Sequence, residues 1–490
     1  MAVTAASTVP ATLPGPYRAA MPRRRPLVIV GTVLLLAACG TTGLRELPVV
    51  GATGIGDPYY PGDGNGGYDV DRYDLVVGYD PGTDELTGTA TITARTTGTP
   101  LSSFSLDLVG LEVAAVQVDG TDVQVSRDDD ELVVYPGQVV VDGDFTVRVE
   151  YSGVPEPVED GPGESGVVTT DDGVLVVGQP DVAATWFPVN DHPSDAAAVQ
   201  LSVTVPEDLV AVSNGELVDR GDPVDGERTW VWRSDQPMAP YLVTLAVGDF
   251  DLTEREVDGI TYRDAVAAGL SDRRAQNARA ALDQQPAILD FLAGVFGSPY
   301  PFTEAGGIVT ASSLGFALET QTRPIYAQDF FGSASGAELV VVHELAHQWT
   351  GDDLRLDRWR DIWLNEGFAT YAEWAWTEDQ GGPTVADQLA DITAIPDDDP
   401  FWEQAIGDPG AASDELFSEA VYLRGGALLA ALRAEVGDDD FAELLSRWTT
   451  DRAGQAVTTG EFTDLADEVS GTDLGGFFDA WLGAGKPPGY

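Results

Sequence analysis

The chain has 490 residues, of which 43% are hydrophobic, and its 81 acidic and 26 basic side chains give a formal net charge of -55. This length allows two or three domains with apolar cores and excludes a fully disordered chain. The negative surface repels nucleic-acid phosphates, so we expect no nucleic-acid partner. The charge itself fits a solubilising surface, adaptation to high salt or attraction of cationic substrates.

Residues 1–38 have the pattern of a secretory signal peptide. Arg23, Arg24 and Arg25 precede an uncharged, apolar run from Leu27 to Ala38, which is too short to span a bilayer. The run ends in Leu36-Ala37-Ala38-Cys39, which resembles a bacterial lipobox with the chain's single cysteine at the lipidated position. We therefore expect an exported lipoprotein, anchored in the cell membrane through lipidated Cys39 and facing outside the cytoplasm. The alternative is an ordinary signal peptide with an incidental cysteine.

Residues 39–67 are rich in Gly, Pro and Asp and predict a lipid-anchored flexible tether. From 68 to 252 short β-rich runs alternate with turn signals, which predicts an antiparallel β domain. The predicted strands are Leu86–Ala94, Phe104–Leu108, Glu131–Tyr135, Phe145–Tyr151, Gly173–Val177, Val199–Val205 and Tyr241–Val247.

Residues 253–490 predict a second, mainly helical domain. A helix is expected from Ser271 to about Val295, before Gly297 and Pro299, and short strands are expected around Gly307–Thr310 and Arg323–Tyr326. From Ala337 onward helical patterns dominate.

A metal-ligand pattern lies in the predicted helix Glu338–Trp349, for which Ser335 could supply a capping box. The segment His343-Glu344-Leu345-Ala346-His347 places two imidazoles a little over one helical turn apart, on the same face. Two imidazoles so placed can bind one zinc ion, and Glu344 beside them can take a proton from a metal-bound water.

Glu366 is the candidate third ligand, because catalytic zinc commonly has three protein ligands and one open position. Eighteen residues separate it from His347, enough for a turn through Gly351-Asp352-Asp353 and a second helix from about Asp361. The sequence therefore predicts one zinc ion held by His343, His347 and Glu366, the ligand set of water-activating zinc hydrolases. His192, the third histidine, is interpreted as a loop residue.

These segments resemble the aminopeptidase N family of gluzincin zinc peptidases. The similarity includes Trp363-Leu364-Asn365-Glu366-Gly367-Phe368-Ala369, Val421-Tyr422-Leu423-Arg424-Gly425-Gly426 and Trp186-Phe187-Pro188. Gly315-Phe316-Ala317-Leu318-Glu319 lies where the family has its Gly-x-Met-Glu-Asn exopeptidase motif. The resemblance implies a saddle-like N-terminal β domain, then a thermolysin-like α+β, mainly helical catalytic domain, and no large C-terminal helical domain.

The resemblance also implies roles for individual residues. Glu344 corresponds to the general base and Tyr422 to the phenol that stabilises the oxyanion. Glu319 corresponds to the carboxylate that binds the substrate's α-ammonium, while Gln179, Gly315 and Ala317 correspond to residues that line the substrate site. Thr320 replaces the motif's asparagine, which leaves strict exopeptidase action open.

We therefore expect a zinc metallopeptidase, in the first place an aminopeptidase that hydrolyses N-terminal residues of peptides with a free N-terminus. A zinc endopeptidase or another zinc hydrolase is the alternative that uses the same metal. A catalytically silent peptide-binding lipoprotein is the alternative of another class.

Overall fold

The computed structural model describes residues 47–140, 143–160 and 163–490. The predicted signal peptide, Cys39 and the first residues of the predicted tether lie outside these described residues. Within them, no helix has the length and hydropathy needed to cross a membrane.

Strands make up the N-terminal half of the described chain. They are β1 Val49–Val50, β2 Tyr68–Asp80, β3 Glu85–Thr96, β4 Leu101–Asp107, β5 Glu112–Val118, β6 Thr121–Asp122, β7 Gln124–Asp128, β8 Glu131–Tyr135, β9 Asp144–Gly153, β10 Val158–Asp160, β11 Gly163–Thr169, β12 Val174–Val177, β13 Ala197–Pro206, β14 Val210–Ser213, β15 Glu216–Arg220, β16 Glu227–Met238, β17 Leu245–Gly248, β18 Phe250–Val257 and β19 Ile260–Ala267.

Three sheets are built from β1 to β17, in the orders β1-β4-β8-β7, β10-β11-β12-β17-β14 and β15-β16-β13-β2-β3-β9-β5-β6. Buried and less buried residues alternate along all of β13 and along β9 as far as Ser152, so one face of the large sheet packs on the core. The sheets are antiparallel as predicted, except that β13 pairs with β2, and β1 with β4, in parallel.

Helices dominate the C-terminal half. The elements are α1 Asp272–Leu282, α2 Gln285–Phe296, β20 Glu304–Val309, β21 Ala317–Leu318, β22 Ile325–Tyr326, α3 Ala334–Ala346, β23 Arg355–Leu356, α4 Trp363–Asp379, α5 Val385–Thr393, α6 Ser413–Leu416, α7 Glu419–Val436, α8 Asp438–Asp451, β24 Ala456–Val457, α9 Thr459–Ser470 and α10 Gly475–Leu482. The hairpin β18-β19 joins β20, β22 and β21 in one sheet. From Phe250 onward the strands therefore pair with strands of the C-terminal half and no longer with those of the β domain. The predicted order, a β domain followed by a mainly helical domain, is confirmed.

Two predicted elements near the domain junction need correction. The helix expected from Ser271 to Val295 is two helices, because Pro286 lies in the first turn of α2 and has no N–H with which to continue α1. Tyr241 was expected to begin a strand, but it lies in the short 3-10 helix Pro240–Leu242, before β17.

The predicted tether has to be shortened, because residues 49–67 pack on the folded body. Strand β1 pairs with β4, and Asp57 and Asn65 are buried. Further along, the Tyr60 hydroxyl donates to the Ala411 carbonyl at 2.8 Å. Turn-rich composition identified a loop correctly, but side-chain hydrogen bonds and strand pairing fix this loop in place.

Asp57 is the main anchor of this segment. Its Oδ1 accepts from the backbone N–H groups of Tyr59 at 2.7 Å and Tyr60 at 3.1 Å. Its Oδ2 accepts from the N–H of Trp359 at 2.9 Å and lies 3.2 Å from Nε2 of His192, a buried loop residue. Burial raises the pKa of Asp57, but the hydrogen bonds from His192, Trp359, Tyr59 and Tyr60 outweigh burial and lower it to about 2.

Replacing Asp57 with asparagine is expected to lower the free energy of unfolding at pH 7 by about 2 kcal/mol, the linkage value of this pKa shift. A carboxylate with a lowered pKa stabilises the fold above its unfolded-state pKa, and the stabilisation is lost as pH falls towards 2. Urea unfolding from pH 7 to pH 3 should therefore show the Asp57→Asn difference shrinking below about pH 5.

The exposed Asp208 provides the control, since Asp208→Asn removes the same charge from the turn before β14. A difference between wild type and Asp57→Asn that stays constant with pH would contradict the role given to the Asp57 carboxylate.

Candidate metal centre and active site

Helix α3 presents the two predicted histidine ligands. Its cap is Ser333, whose hydroxyl accepts from the Gly336 N–H at 3.2 Å, and not the predicted Ser335. His347 is the C-cap residue of the helix, one turn after His343, and the two imidazole rings lie 4.8 Å apart. The buried neighbours Val341, Val342 and Leu345 hold this turn in the core.

Helices α4 and α7 meet at a pair of glycines. A Cβ on Gly425 would lie 2.7 Å from Cα of Gly367, and a Cβ on Gly367 would lie 2.9 Å from Cα of Gly425. Side chains at these positions would push the helices apart, so both positions need glycine. The crossing brings Glu366, in the first turn of α4, and Tyr422, in the first turns of α7, to the histidines of α3.

His343, His347 and Glu366 converge as the sequence predicted. One ligand atom from each lies within 4.8 Å of the others, and this is the group of three metal-ligating side chains found among the described residues. Glu366 Oε2 is 3.3 Å from His343 Nε2 and 3.4 Å from His347 Nε2. Tetrahedral zinc with ligand bonds of about 2.0 Å separates its ligand atoms by about 3.3 Å, so the donor set fits this ion.

The remaining imidazole nitrogens also fit a metal centre. His343 Nδ1 lies 2.6 Å from Glu373 Oε1, and His347 Nδ1 lies 3.1 Å from the Thr350 carbonyl. With both Nδ1 atoms donating to these acceptors, both Nε2 lone pairs point to Glu366 and are available to a metal.

Electrostatics in the metal-free site reflect these contacts. Burial raises the pKa of Glu366, but the two histidines outweigh burial and lower it to about 2. Burial lowers the pKa of His347, yet Glu366 raises it to about 9. Without metal, the charge of Glu366 therefore keeps His347 protonated, and a bound metal cation would replace this proton.

Glu373 was not identified from the sequence. It lies seven residues after Glu366, two turns further along the same face of α4, and this spacing is the signal that could have found it. Its hydrogen bond to His343 fixes the orientation of the ring, as outer-sphere carboxylates do in zinc proteins.

Tyr422 lies beside the metal ligands as expected. Its ring stacks on His343 at 5.8 Å with an interplanar angle of 18°. Burial and the surrounding Glu366, Glu319 and Glu344 raise its pKa well above that of a free phenol, so the hydroxyl keeps its proton and can donate.

Glu319 lies in the turn after β21, and both of its oxygens are held. Oε2 accepts from Gln179 Nε2 at 2.7 Å, and Oε1 accepts from the Tyr241 hydroxyl at 3.2 Å. Gln348, next to His347, donates to the Glu319 carbonyl at 3.0 Å and so ties this turn to α3. Tyr241 was missed as a site residue, because in the sequence it is one more aromatic residue of a β-rich run.

One cavity of about 540 Å³ joins these groups. The metal triad, Glu344, Tyr422, Glu319, Gln179, Gly315 and Ala317 all line it, so the structure brings together every predicted site residue. Burial raises the pKa of Glu344 to about 8, although His343 and His347 lower it. Such a carboxylate can accept and return a proton near neutral pH.

Comparisons with known proteins match both halves of the chain. The Peptidase M1 N-terminal domain matches residues 70–242, and the Peptidase family M1 domain matches residues 280–481. Human Aminopeptidase N is 29% identical over 54% of this chain and 29% of its own length. A Probable aminopeptidase 1 of Sulfurisphaera tokodaii is 25% identical over 86% of this chain and 53% of its own.

Solved structures agree over nearly the whole folded part. The M1 zinc metallopeptidase from Deinococcus radiodurans superimposes with a TM-score of 0.78 at 30% identity, covering 88% of this chain and 97% of that one. A variant from the same organism, bound to a Tyr-Ser-Ala substrate, gives a TM-score of 0.76 at 30% identity, covering 89% and 99%. The chain spans between 36% and 53% of the length of three curated aminopeptidases that it matches.

The fold and the site thus define a zinc metallopeptidase of two domains. The chain belongs to peptidase family M1, and its cofactor is one zinc ion. The predicted family and cofactor are confirmed.

Replacing Glu373 with alanine is expected to weaken zinc binding by about 10- to 100-fold, because His343 loses the acceptor that orients its ring. Glu373→Gln keeps an oxygen acceptor and should retain most of the affinity. Zinc dissociation constants from competition with a chromogenic chelator measure both variants. Equal affinities for wild type and Glu373→Ala would contradict the orienting role.

Proposed function

We propose that this protein is a zinc-dependent aminopeptidase that removes N-terminal residues from peptides. The observation that supports this most directly is the position of Glu319. Its carboxylate lines the same cavity as the metal ligands but is not one of them. A carboxylate fixed beside the reacting centre selects a positive amino terminus and makes the next peptide bond the one that is cleaved.

Two residues of the β domain prepare Glu319 for an ammonium group. Gln179 and Tyr241 each donate one hydrogen bond to it and hold it in one orientation. Gln179 Oε1 has no hydrogen-bond partner among the described residues. A substrate ammonium would supply the missing donor while pairing with Glu319.

Zinc, when bound by His343, His347 and Glu366, supplies a Lewis acid that polarises the scissile carbonyl and acidifies water. Glu344, beside both histidines, accepts the proton of the attacking water and returns it to the leaving amine. Tyr422 donates its phenolic hydrogen to the developing oxyanion, an interaction whose loss typically costs on the order of 100-fold in rate.

Thr320 is not among the described residues that line the substrate cavity. Its side chain is fully buried, and its hydroxyl donates to the Arg323 carbonyl at 2.7 Å. The residue thus closes the turn that carries Glu319. The fixed carboxylate of Glu319 favours an aminopeptidase over a zinc endopeptidase, which has no use for an ammonium-binding carboxylate. The base Glu344 favours an enzyme over a silent binding protein, which needs no base.

Glu344→Gln is expected to lower kcat at least about 1000-fold while zinc content stays at one ion per chain, because the base is lost and the ligands are kept. Hydrolysis of a panel of amino-acid anilides, with and without chelator, measures this. Glu419→Gln, at the exposed first residue of α7, is the charge-matched control. Undiminished turnover by Glu344→Gln, or cleavage restricted to N-terminally blocked peptides, would contradict the proposal.

The proposed location follows from the sequence of residues 23–39, which lie outside the described residues. We propose that Cys39 carries lipid and anchors the exported enzyme in the cell membrane. In cells that express the full chain and are fed an alkyne-tagged fatty acid, the protein should take up the label and sediment with membranes, and Cys39→Ser should abolish the labelling. Wild-type protein without the label, or labelling that survives Cys39→Ser, would rule out the lipid anchor.

A further inference from the structure

The charges that line the substrate cavity are of one sign. Among the described residues that line it, Glu319, Glu344, Glu366 and Glu373 are carboxylates, and none is a lysine or an arginine. Zinc and the substrate ammonium together offset three of these charges at most, so no positive charge in the loaded cavity is left unpaired. A substrate carboxylate that enters it therefore meets repulsion, with no side-chain cation to pair with.

Two arginines lie close to site residues in the sequence, but neither reaches the cavity. Arg323, four residues after Glu319, is fully buried and stacks on Trp232 at 4.9 Å. Its guanidinium donates to three backbone carbonyls, those of Arg263, Ser213 and Gly215.

Arg424 is removed from the cavity in the same way. It lies two residues after Tyr422, so α7 directs it to the opposite side of the helix. It is fully buried against Trp402. Its donors go to four backbone carbonyls, those of Gln404, Ala480, Gly483 and Gly485.

Glu373 is the cavity carboxylate that binds neither the metal nor the substrate ammonium nor the transferred proton in the proposed mechanism. Glu366 binds the metal, Glu319 the ammonium and Glu344 the proton in the proposed mechanism. Glu373 uses Oε1 for His343, and its side chain is still 27% exposed. A dipeptide held at Glu319 has its C-terminal carboxylate within a few ångströms of the scissile bond, because consecutive Cα atoms are about 3.8 Å apart.

Resting on the proposed aminopeptidase function, we infer that the substrates are oligopeptides and peptide amides, and that Glu373 excludes a carboxylate from the position after the scissile bond. Free dipeptides and peptides with aspartate as the second residue are poor substrates. Peptides whose second residue is neutral and continues as an amide are good ones.

The test compares kcat/KM of the zinc-loaded full chain for leucyl-glycine against leucyl-glycinamide, and for leucyl-aspartyl amide against leucyl-asparaginyl amide. Repulsion between like charges in a partly buried site lowers affinity by roughly 10- to 100-fold, so each carboxylate substrate should be at least about tenfold worse than its neutral partner. Glu373→Gln, under saturating zinc, should reduce both ratios several-fold.

Glu419→Gln removes one negative charge outside the cavity and should leave both ratios unchanged. Equal kcat/KM for a carboxylate substrate and its neutral partner would overturn the inference, as would ratios that Glu373→Gln does not alter. Failure to cleave any of the four substrates would instead reject the aminopeptidase function itself.

Discussion

Two helix crossings set the position of every group at this metal centre. His343 and His347 project from the last turn of α3, and Glu366 reaches them from the first turn of α4 at 3.3 and 3.4 Å. The glycine pair Gly367 and Gly425 lets α4 lie against α7 with almost no space between the backbones. A shift of either helix by a side-chain width would separate the ligands, so core packing fixes the coordination geometry before a metal binds.

The β domain completes the site from the other side. Gln179 follows β12 and Tyr241 precedes β17, and each donates to one oxygen of Glu319, which belongs to the catalytic half. The metal ligands thus come from one domain, whereas the orientation of Glu319 depends on both. Residues 49–67 reinforce this contact, because Asp57 links His192 of the β domain to Trp359 of the catalytic half.

The sequence predicted the metal centre well because its signals are local. Two histidines four residues apart need one helix, and a glutamate eighteen residues later needs one turn and a second helix. Glu373 was missed although its seven-residue spacing from Glu366 puts it on the same face of α4, whereas the sequence could not predict Tyr241 as a site residue, since its role depends on a contact with Glu319 that only the folded chain creates. For the same reason the sequence could not predict the direction of the Arg323 and Arg424 side chains, because an arginine near a site residue can face the cavity or the core.

The predictions for two segments were wrong, one because long-range contacts determine its structure and the other because a proline interrupts the helical pattern. Residues 49–67 have the glycine and proline content of a linker, yet a parallel pairing with β4 and the hydrogen bonds of Asp57 hold them in place. The long helix predicted from Ser271 has the right periodicity on both sides of Pro286, and the proline's missing N–H divides it.

Zinc K-edge X-ray absorption on the purified enzyme tests the metal centre most directly. We expect one zinc ion with two imidazole nitrogens and carboxylate or water oxygens at about 2.0 to 2.2 Å, and loss of one imidazole shell in His347→Ala. A folded enzyme without zinc, or a spectrum with no imidazole scattering, would contradict it.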